Sequence, residues 1–184
     1  VFQVLVCVII IFLNTSMYSL DIEKIKFESI THGQLRVDLV IGIIKEFLEE
    51  FPNAEYSLVI GTDSHEITGS TFKNRDISLV TAILVHRRGF GGRYFWNKQR
   101  ANNIHSLREK IYAETLMSLD FAREFVPLLK KTLNGDSPSY NLEIHIDVGE
   151  HGDSRDMIKE VVGMVTGNGF VAKTKPEAYG ASYV

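Results

Sequence analysis

The stretch Tyr56-Ser-Leu-Val-Ile-Gly-Thr-Asp63 decides the fold class, because a run of β-favouring apolar residues ends there in a carboxylate. A second such run, from Ile77 to His86, follows a turn that contains Gly and Thr. A third, Arg93-Tyr-Phe-Trp96, follows the glycine-rich segment from Gly89 to Gly92. Short runs of this kind between turn residues predict strands, and short connections predict an antiparallel meander.

Helices and strands alternate in the second half of the chain. Apolar residues recur with a helical period from Ile104 to Leu133 and again from Ser154 to Val165. Strand-like runs follow each helix, at Leu142 to Val148 and at Phe170 to Lys173. Because strands linked by helical crossovers run parallel, the order βββαβαβ predicts an α/β domain over residues 55–184, with a mixed five-stranded sheet flanked by helices.

Two segments precede this predicted domain. A helical period between Thr31 and Phe51 predicts an extra amphipathic helix, so we expect residues 17–54 to be a helical extension. The apolar run from Val1 to Leu13 is shorter than the roughly 20 residues that span a bilayer, and it lacks a preceding basic region. Residues 1–16 are either an apolar leader or a mis-assigned start before Met17, and we favour the second interpretation.

Composition narrows the class of protein but not its partner. The chain has 184 residues, of which 45% are hydrophobic and 23% charged, as is usual for one globular domain. The formal net charge of -3 gives no sign of a polyanion partner, so any such partner must be inferred from a local surface. Cys7 is the only cysteine, which excludes an internal disulfide and suits a reducing, cytoplasmic location; the main domain has no membrane signature.

Two aspartates stand where predicted strands end. Asp63 and Asp147 both follow apolar runs, and ligands of mixed α/β sheets bind outside the carboxyl ends of strands. A buried, unpaired carboxylate is unfavourable by several kcal/mol, so a pair of them implies a cation, a base or access to water. Hard oxygen ligands favour Mg²⁺ or Mn²⁺. Aspartate also favours turns, and each residue could simply cap one.

Glu114 is a candidate third ligand. At 100° per residue it lies at the edge of the buried face of the helix from Ile104 to Leu133, near the direction of Leu107. From there its carboxylate could reach the end of the sheet. A solvated glutamate is an equally common outcome at such a position, and the spacing does not decide between them.

A basic, aromatic hairpin is the candidate nucleic-acid surface. No acidic residue occurs from Ile77 to Arg108, and this segment contains Phe90, Tyr94, Phe95 and Trp96. Cations neutralise phosphates and aromatic rings stack on bases, so Arg93, Lys98 and Arg100 are predicted to contact the backbone of RNA or of a hybrid. Alternatively, the aromatic side chains alternate into the core of an ordinary basic hairpin.

Several polar side chains near the two aspartates are secondary candidates. Ser64 and His65 follow Asp63 and could orient substrate or water, and His145 alternates with Asp147 on one face of its strand. His151 could move a proton or contact phosphate. Single histidines usually do neither.

Ordered motifs over residues 55–184 resemble the prokaryotic ribonuclease H-like proteins of the YkuK type. They include Val59-Ile-Gly-Thr-Asp-Ser-His65, Gly91-Gly-Arg-Tyr-Phe95, Arg108-Glu-Lys-Ile-Tyr-Ala-Glu-Thr115, His145-Ile-Asp-Val-Gly149, Gly163-Met-Val-Thr-Gly-Asn-Gly-Phe170 and Lys175-Pro176. The resemblance implies a ribonuclease H-like fold in which Asp63, Glu114 and Asp147 bind two divalent ions, Mg²⁺ or Mn²⁺. It further implies a metal-dependent nuclease acting on RNA or on a substrate that contains RNA.

The resemblance also implies a fourth acid near the start of a last helix. Members of this family continue where the present chain stops at Val184, so we expect that helix to be truncated. Asp153 is a candidate stand-in for the fourth acid, although it is also placed to cap the following helix.

Two other functions remain open at this stage. A non-catalytic protein of the same fold could bind nucleic acid or a partner through the basic hairpin, because fold does not imply activity. An actin-like phosphotransferase has similar Gly-Thr-Asp-Ser and Asp-Val-Gly segments, but it needs two copies of the fold, and this chain has room for one.

Overall fold

A computed structural model describes residues 20–67, 76–133, 138–149 and 155–178 of the chain. In chain order the elements are β1 (Lys26–Ser29), β2 (Gly33–Arg36), α1 (Val37–Glu49), β3 (Tyr56–Glu66), β4 (Ile77–Arg87), β5 (Gly92–Ala101), α2 (Leu107–Leu133), β6 (Tyr140–His145), a short 3-10 turn (Arg155–Met157), α3 (Ile158–Gly167) and β7 (Val171–Lys173).

The predicted antiparallel meander is confirmed. β4 pairs with β3 in unbroken register from Tyr56↔Arg87 to Glu66↔Ile77, and β5 pairs with the other edge of β4. The turn between β4 and β5 needs φ values of +80° at Gly89 and +81° at Gly91, which glycine adopts without strain. These three strands form the centre of the sheet.

The predicted parallel crossovers are also confirmed. β6 runs parallel to β3, from Tyr56↔Tyr140 to Gly61↔His145, and β7 runs parallel to β6. The carboxyl ends of β3, β6 and β7 therefore lie at one edge of the sheet. β5 ends at the same edge, because it is antiparallel to β4 and β4 is antiparallel to β3.

The expected five-strand count is wrong, because within the described residues the sheet has seven strands, in the order β2-β1-β5-β4-β3-β6-β7. The additional pair, β1 and β2, comes from the segment expected to be purely helical, and β1 joins β5 through Glu28↔Trp96. These two strands have four residues each and lack an apolar run, so the sequence contains no strong strand signal there. Since β2 extends to Arg36, helix α1 begins at Val37 and not near Thr31.

One apolar core joins all three helices to a single face of the sheet. Alternate strand residues enter this core, including Leu58, Ile60, Ile83 and Ile144, together with side chains from α1, α2 and α3. Side chains alternate between the two faces of a strand. Val59, Val80 and Leu84 are likewise buried but lie outside the core, on the opposite face. This division decides which candidate residues can meet.

No helix in the described ranges is both long and apolar enough to cross a membrane. The apolar leader, residues 1–16, lies outside the described residues, as do His151 and Asp153.

Candidate active site at the carboxyl ends of β3 and β6

Asp63 and Asp147 lie at the same edge of the sheet, as expected from their positions at strand ends. Asp63 is near the end of β3, and Asp147 comes two residues after β6, which ends at His145 rather than at Val148. Both aspartates are partly buried, and the Oδ1 atom of Asp63 accepts a hydrogen bond of 2.8 Å from the backbone N–H of Ser64. The neighbouring parallel strands thus bring two carboxylates to one end of the sheet.

A lysine that follows β7 forms an ion pair with one of these aspartates, Asp147. The Nζ atom of Lys175 lies 2.6 Å from Oδ1 of Asp147, and the backbone N–H of Lys175 donates to the carbonyl of Val148 over 2.8 Å. The hydrogen bond and the charge of Asp147 raise the pKa of Lys175 above its usual value, and the charge of Asp63 raises it further. Lys175 is therefore the counter-charge of Asp147, and Asp63 influences it through its charge alone.

Glu114 reaches the same end of the sheet from α2, but it meets β3 on the helix-covered face. The Oγ atom of Ser64 donates a hydrogen bond of 2.7 Å to Oε1 of Glu114. Two residues earlier, Thr62 Oγ1 accepts a hydrogen bond of 2.8 Å from Ser118 of the same helix. Because side chains alternate along β3, Asp63 points to the opposite face from Ser64 and Thr62.

Burial makes Glu114 an unusual carboxyl group. The residue is 5% exposed, and loss of solvation raises its pKa to about 7, against the opposing effects of the Ser64 hydrogen bond and the charge of Lys110. The charges of Asp63 and Asp147 raise the pKa of Glu114 further, so both aspartates act electrostatically on Glu114. The Nζ atom of Lys110, 3.7 Å from Oε1 of Glu114, is the nearby cation that partly offsets these effects.

The three acids differ in how well they suit a metal ion. In the described part of the chain, no group of three or more His, Cys, Asp and Glu side chains is placed to hold one ion. The donor chemistry nevertheless suits Mg²⁺ or Mn²⁺, since all three groups offer hard carboxylate oxygens. The ammonium of Lys175 already occupies a cation position on Asp147. Asp63 and Asp147 thus offer carboxylate oxygens at one edge of the sheet, whereas Glu114 is turned towards Ser64.

The histidines fall in different environments. His65 is exposed at the end of β3. His145 has no exposed side-chain surface, and its Nε2 atom lies 3.2 Å from Oε2 of Glu143. Burial lowers the pKa of His145 from its usual value, although Glu143 opposes this effect. His145 is buried, so of the two histidines only His65 is accessible to a substrate.

The basic hairpin is divided between the two faces of the sheet. Arg93 lies on the helix-covered face, where its guanidinium stacks over the ring of Phe47 at 4.5 Å. Lys98 of β5 is the direct partner of Val80 of β4, and its side chain lies on the other face. Arg100 lies on that face too, and it forms an ion pair with Asp76. The three predicted phosphate contacts therefore do not form one continuous surface, because Arg93 is separated from the other two by the sheet.

Sequence reasoning missed Lys175 as a member of the site. In the sequence, Lys175 stands only within the motif Lys175-Pro176, with no predicted role. The available signal was a basic residue directly after the last strand, at the sheet edge where the aspartates also lie. The pairing with Asp147 depends on the parallel neighbours β6 and β7, which pattern reading did not place side by side.

Comparisons with known proteins agree with this architecture. The sequence model of a family described as Ribonuclease H-like matches residues 39–184. The chain is 32% identical over 170 residues to an uncharacterised protein, YkuK, of Bacillus subtilis strain 168, and the match covers 86% of this chain and 94% of that protein. No solved structure matches the chain significantly.

Proposed function

Because the chain belongs to the ribonuclease H-like family of the YkuK type, we propose that it is a divalent-metal-dependent nuclease acting on RNA or on a substrate that contains RNA. The observation that carries the proposal is the pair of carboxylates Asp63 and Asp147, which lie at the ends of the neighbouring parallel strands β3 and β6.

In this proposal Asp63 and Asp147 hold Mg²⁺ or Mn²⁺, and Glu114 completes the site. A bound divalent ion supplies Lewis acidity for phosphodiester hydrolysis. Glu114 joins by losing its proton and its hydrogen bond from Ser64, and its pKa of about 7 makes this change accessible near neutral pH. Ser64 therefore acts as a positioning residue that holds Glu114 while the site is empty of substrate.

Lys175 has a separate part in the proposal. Its side chain is 54% exposed, so the ammonium can leave Asp147 for the phosphate of a substrate when another cation neutralises the carboxylate. A phosphodiester is an anion, and a nearby lysine attracts it to the carboxylates, which would otherwise repel it.

A second candidate function is non-catalytic binding of nucleic acid. It is favoured by the same ammonium, which leaves Asp147 neutralised without a metal ion, and by the position of Glu114 against Ser64. In this alternative the carboxylates stabilise the fold and exposed cations such as Lys98 bind the partner.

A metal titration separates the two functions. We expect Mg²⁺ or Mn²⁺ to raise the Tm of the full chain by about 3–6 °C at a concentration about ten times its Kd. Asp63→Asn and Asp147→Asn should abolish this rise. Asp156→Asn, which changes an exposed aspartate outside the site, is the matched control and should respond like the unmodified chain.

The nuclease assay follows on the same proteins. Labelled RNA, RNA–DNA hybrid and DNA are incubated with metal or with EDTA, and cleavage is expected with metal in the unmodified chain and in Asp156→Asn only. Absence of any Tm rise at millimolar metal, together with intact substrate, would overturn the nuclease and leave the binding protein as the function.

A further inference from the structure

Four side chains of β5 lie on the sheet face opposite the helices, because side chains alternate along the strand. Tyr94 and Trp96 are partly exposed, and their rings are stacked at 5.2 Å between centroids with 24° between planes. Lys98 and Arg100, the next two residues on this face, are exposed. Aromatic rings and cations thus follow one another along a single strand, with a spacing of roughly 7 Å between successive members.

This row of side chains leads to the candidate active site. Lys98, Val80 and Asp63 are direct partners across β5, β4 and β3, so their side chains share one face. Strands are about 4.8 Å apart, which puts the backbone of Lys98 roughly 10 Å from that of Asp63. By the same pairing, Arg100 is level with His65.

We propose that Tyr94, Trp96, Lys98 and Arg100 form a binding surface for single-stranded nucleic acid, with bases stacked on the two rings and the backbone passing Lys98 towards Asp63. The binding surface rests on the proposed function only for the cleavage of the bound nucleic acid at Asp63. The ligand is single-stranded, because a base can stack on a protein ring only when its own face is not covered within a duplex.

Nearby acids favour one placement of phosphates and bases on this surface. Glu28 is paired with Trp96 across β1 and β5, and its Oε1 atom accepts a hydrogen bond of 3.0 Å from Gln34. Asp76 takes up part of the charge of Arg100. Phosphates are therefore attracted to the Lys98 end of the surface and repelled from the Glu28 side. The bases, which carry no charge, occupy the ring end.

The chain contains its own reporter for this surface, because Trp96 is its only tryptophan. A single-stranded RNA of about 12 nucleotides is titrated into the unmodified full chain in EDTA, where metal-dependent cleavage cannot occur. Saturable quenching of the Trp96 fluorescence is expected, with weaker or no quenching by the same sequence in a duplex. Single-stranded DNA is titrated in parallel to distinguish the two strand types.

Substitutions on the two faces test the assignment. Tyr94→Leu removes a ring but keeps apolar volume, and it should weaken RNA binding by between about 5-fold and about 150-fold, as measured by fluorescence anisotropy. Lys98→Ala should weaken binding and make the logarithm of affinity less dependent on salt by about one unit of slope. Arg93→Ala is the matched control, since it removes a cation from the opposite face, and binding should be unchanged.

The outcomes distinguish this surface from the nuclease itself. RNA that binds without changing Trp96 fluorescence, or that binds Tyr94→Leu and Lys98→Ala with undiminished affinity, overturns the surface even if the chain cleaves RNA. The surface also fails if duplex RNA quenches Trp96 as strongly as the single strand does. Quenching that is lost in Lys98→Ala upholds the surface even if the chain neither binds metal nor cleaves.

Discussion

Glu114 has a pKa well above the usual value for a glutamate. Burial raises its pKa to about 7, whereas an unfolded glutamate titrates near 4.5. The folded state therefore holds the proton more tightly, and this contribution to stability is complete below pH 4.5 and lost as pH rises through 7. A shift of this size corresponds to roughly 3 kcal/mol.

The corresponding prediction is that Glu114→Gln removes this pH dependence. In EDTA, the variant and the unmodified chain should have similar free energies of unfolding near pH 4, and the variant should be more stable by roughly 3 kcal/mol at pH 8. Urea denaturation at both pH values measures the difference. Glu124→Gln, on the exposed side of the same helix, is the control. An equal difference at both pH values would contradict the prediction.

Lys175 supports a second prediction at the residue scale. Lys175→Met removes the ammonium that lies 2.6 Å from Asp147 and leaves this carboxylate without its counter-charge. We expect a lower Tm in EDTA and a larger rise in Tm on addition of Mg²⁺ than in the unmodified chain, because the ion no longer competes with the lysine. Lys130→Met, a change of an exposed lysine on α2, should alter neither value. A smaller rise in Lys175→Met would mean that the ammonium does not compete with the ion.

Helix α2 is the element that carries Glu114 to the sheet, and its start is secured by a capping box. Ser106 Oγ accepts a hydrogen bond of 3.1 Å from the backbone N–H of Glu109. In return, Oε2 of Glu109 accepts hydrogen bonds from the backbone N–H groups of Ser106, over 3.0 Å, and His105, over 2.6 Å. These contacts satisfy donors that the first turn of a helix otherwise leaves unpaired.

Loss of this cap should weaken the whole helix. Ser106→Ala is expected to lower the free energy of unfolding by about 1 kcal/mol, as measured in urea. Glu124→Ala changes an exposed residue in the middle of α2, away from its ends, and should change the free energy of unfolding by less than about 0.5 kcal/mol. Equal stabilities of Ser106→Ala and the unmodified chain would show that packing alone holds the start of α2.

Buried hydroxyl groups also tie α2 to the sheet as an element. Ser118 Oγ donates to Thr62 Oγ1 over 2.8 Å, and Thr62 Oγ1 lies 3.0 Å from Thr81 Oγ1. This chain of hydroxyls connects α2 with β3 and β4 at the residue next to Asp63. The pattern of apolar residues predicted the helix, but polar contacts like these depend on register between elements far apart in sequence, which the pattern does not contain.

At the scale of the whole molecule, the described residues before β3, 20–55, are part of the domain rather than an appendage. Phe27 of β1 is fully buried, and its ring packs edge-on against Phe121 of α2 at 5.7 Å between centroids. β1 also extends the sheet beside β5. Residues 17–54 were expected to be a helical extension, yet their described part supplies strands and core side chains to the same fold.

Two substitutions in this hairpin test its importance. Phe27→Ala is expected to lower the free energy of unfolding by about 3–5 kcal/mol, since it leaves a cavity in the core. Ile30→Ala is the matched control, because Ile30 is 89% exposed and its loss should change stability by less than about 0.5 kcal/mol. Thermal or urea unfolding compares them. A small effect of Phe27→Ala on the free energy of unfolding would indicate that this hairpin belongs to an independent extension.

The sequence by itself determined the central strands, the long helix, the mixed direction of the sheet and the placement of Asp63 and Asp147 at strand ends. These features depend on local periodicity and turn residues, which a strand or helix carries within its own segment. Short strands β1 and β2 carry too few apolar residues for such a signal.

Only the tertiary structure decided how the candidate residues combine. It put Glu114 against Ser64, paired Lys175 with Asp147, and separated Arg93 from Lys98 by the thickness of the sheet. Each of these outcomes depends on which strands are neighbours and on their register, and a shift of one residue would move every side chain of a strand to the other face. Register is set by the packing of the whole core, so no single segment of the sequence contains it.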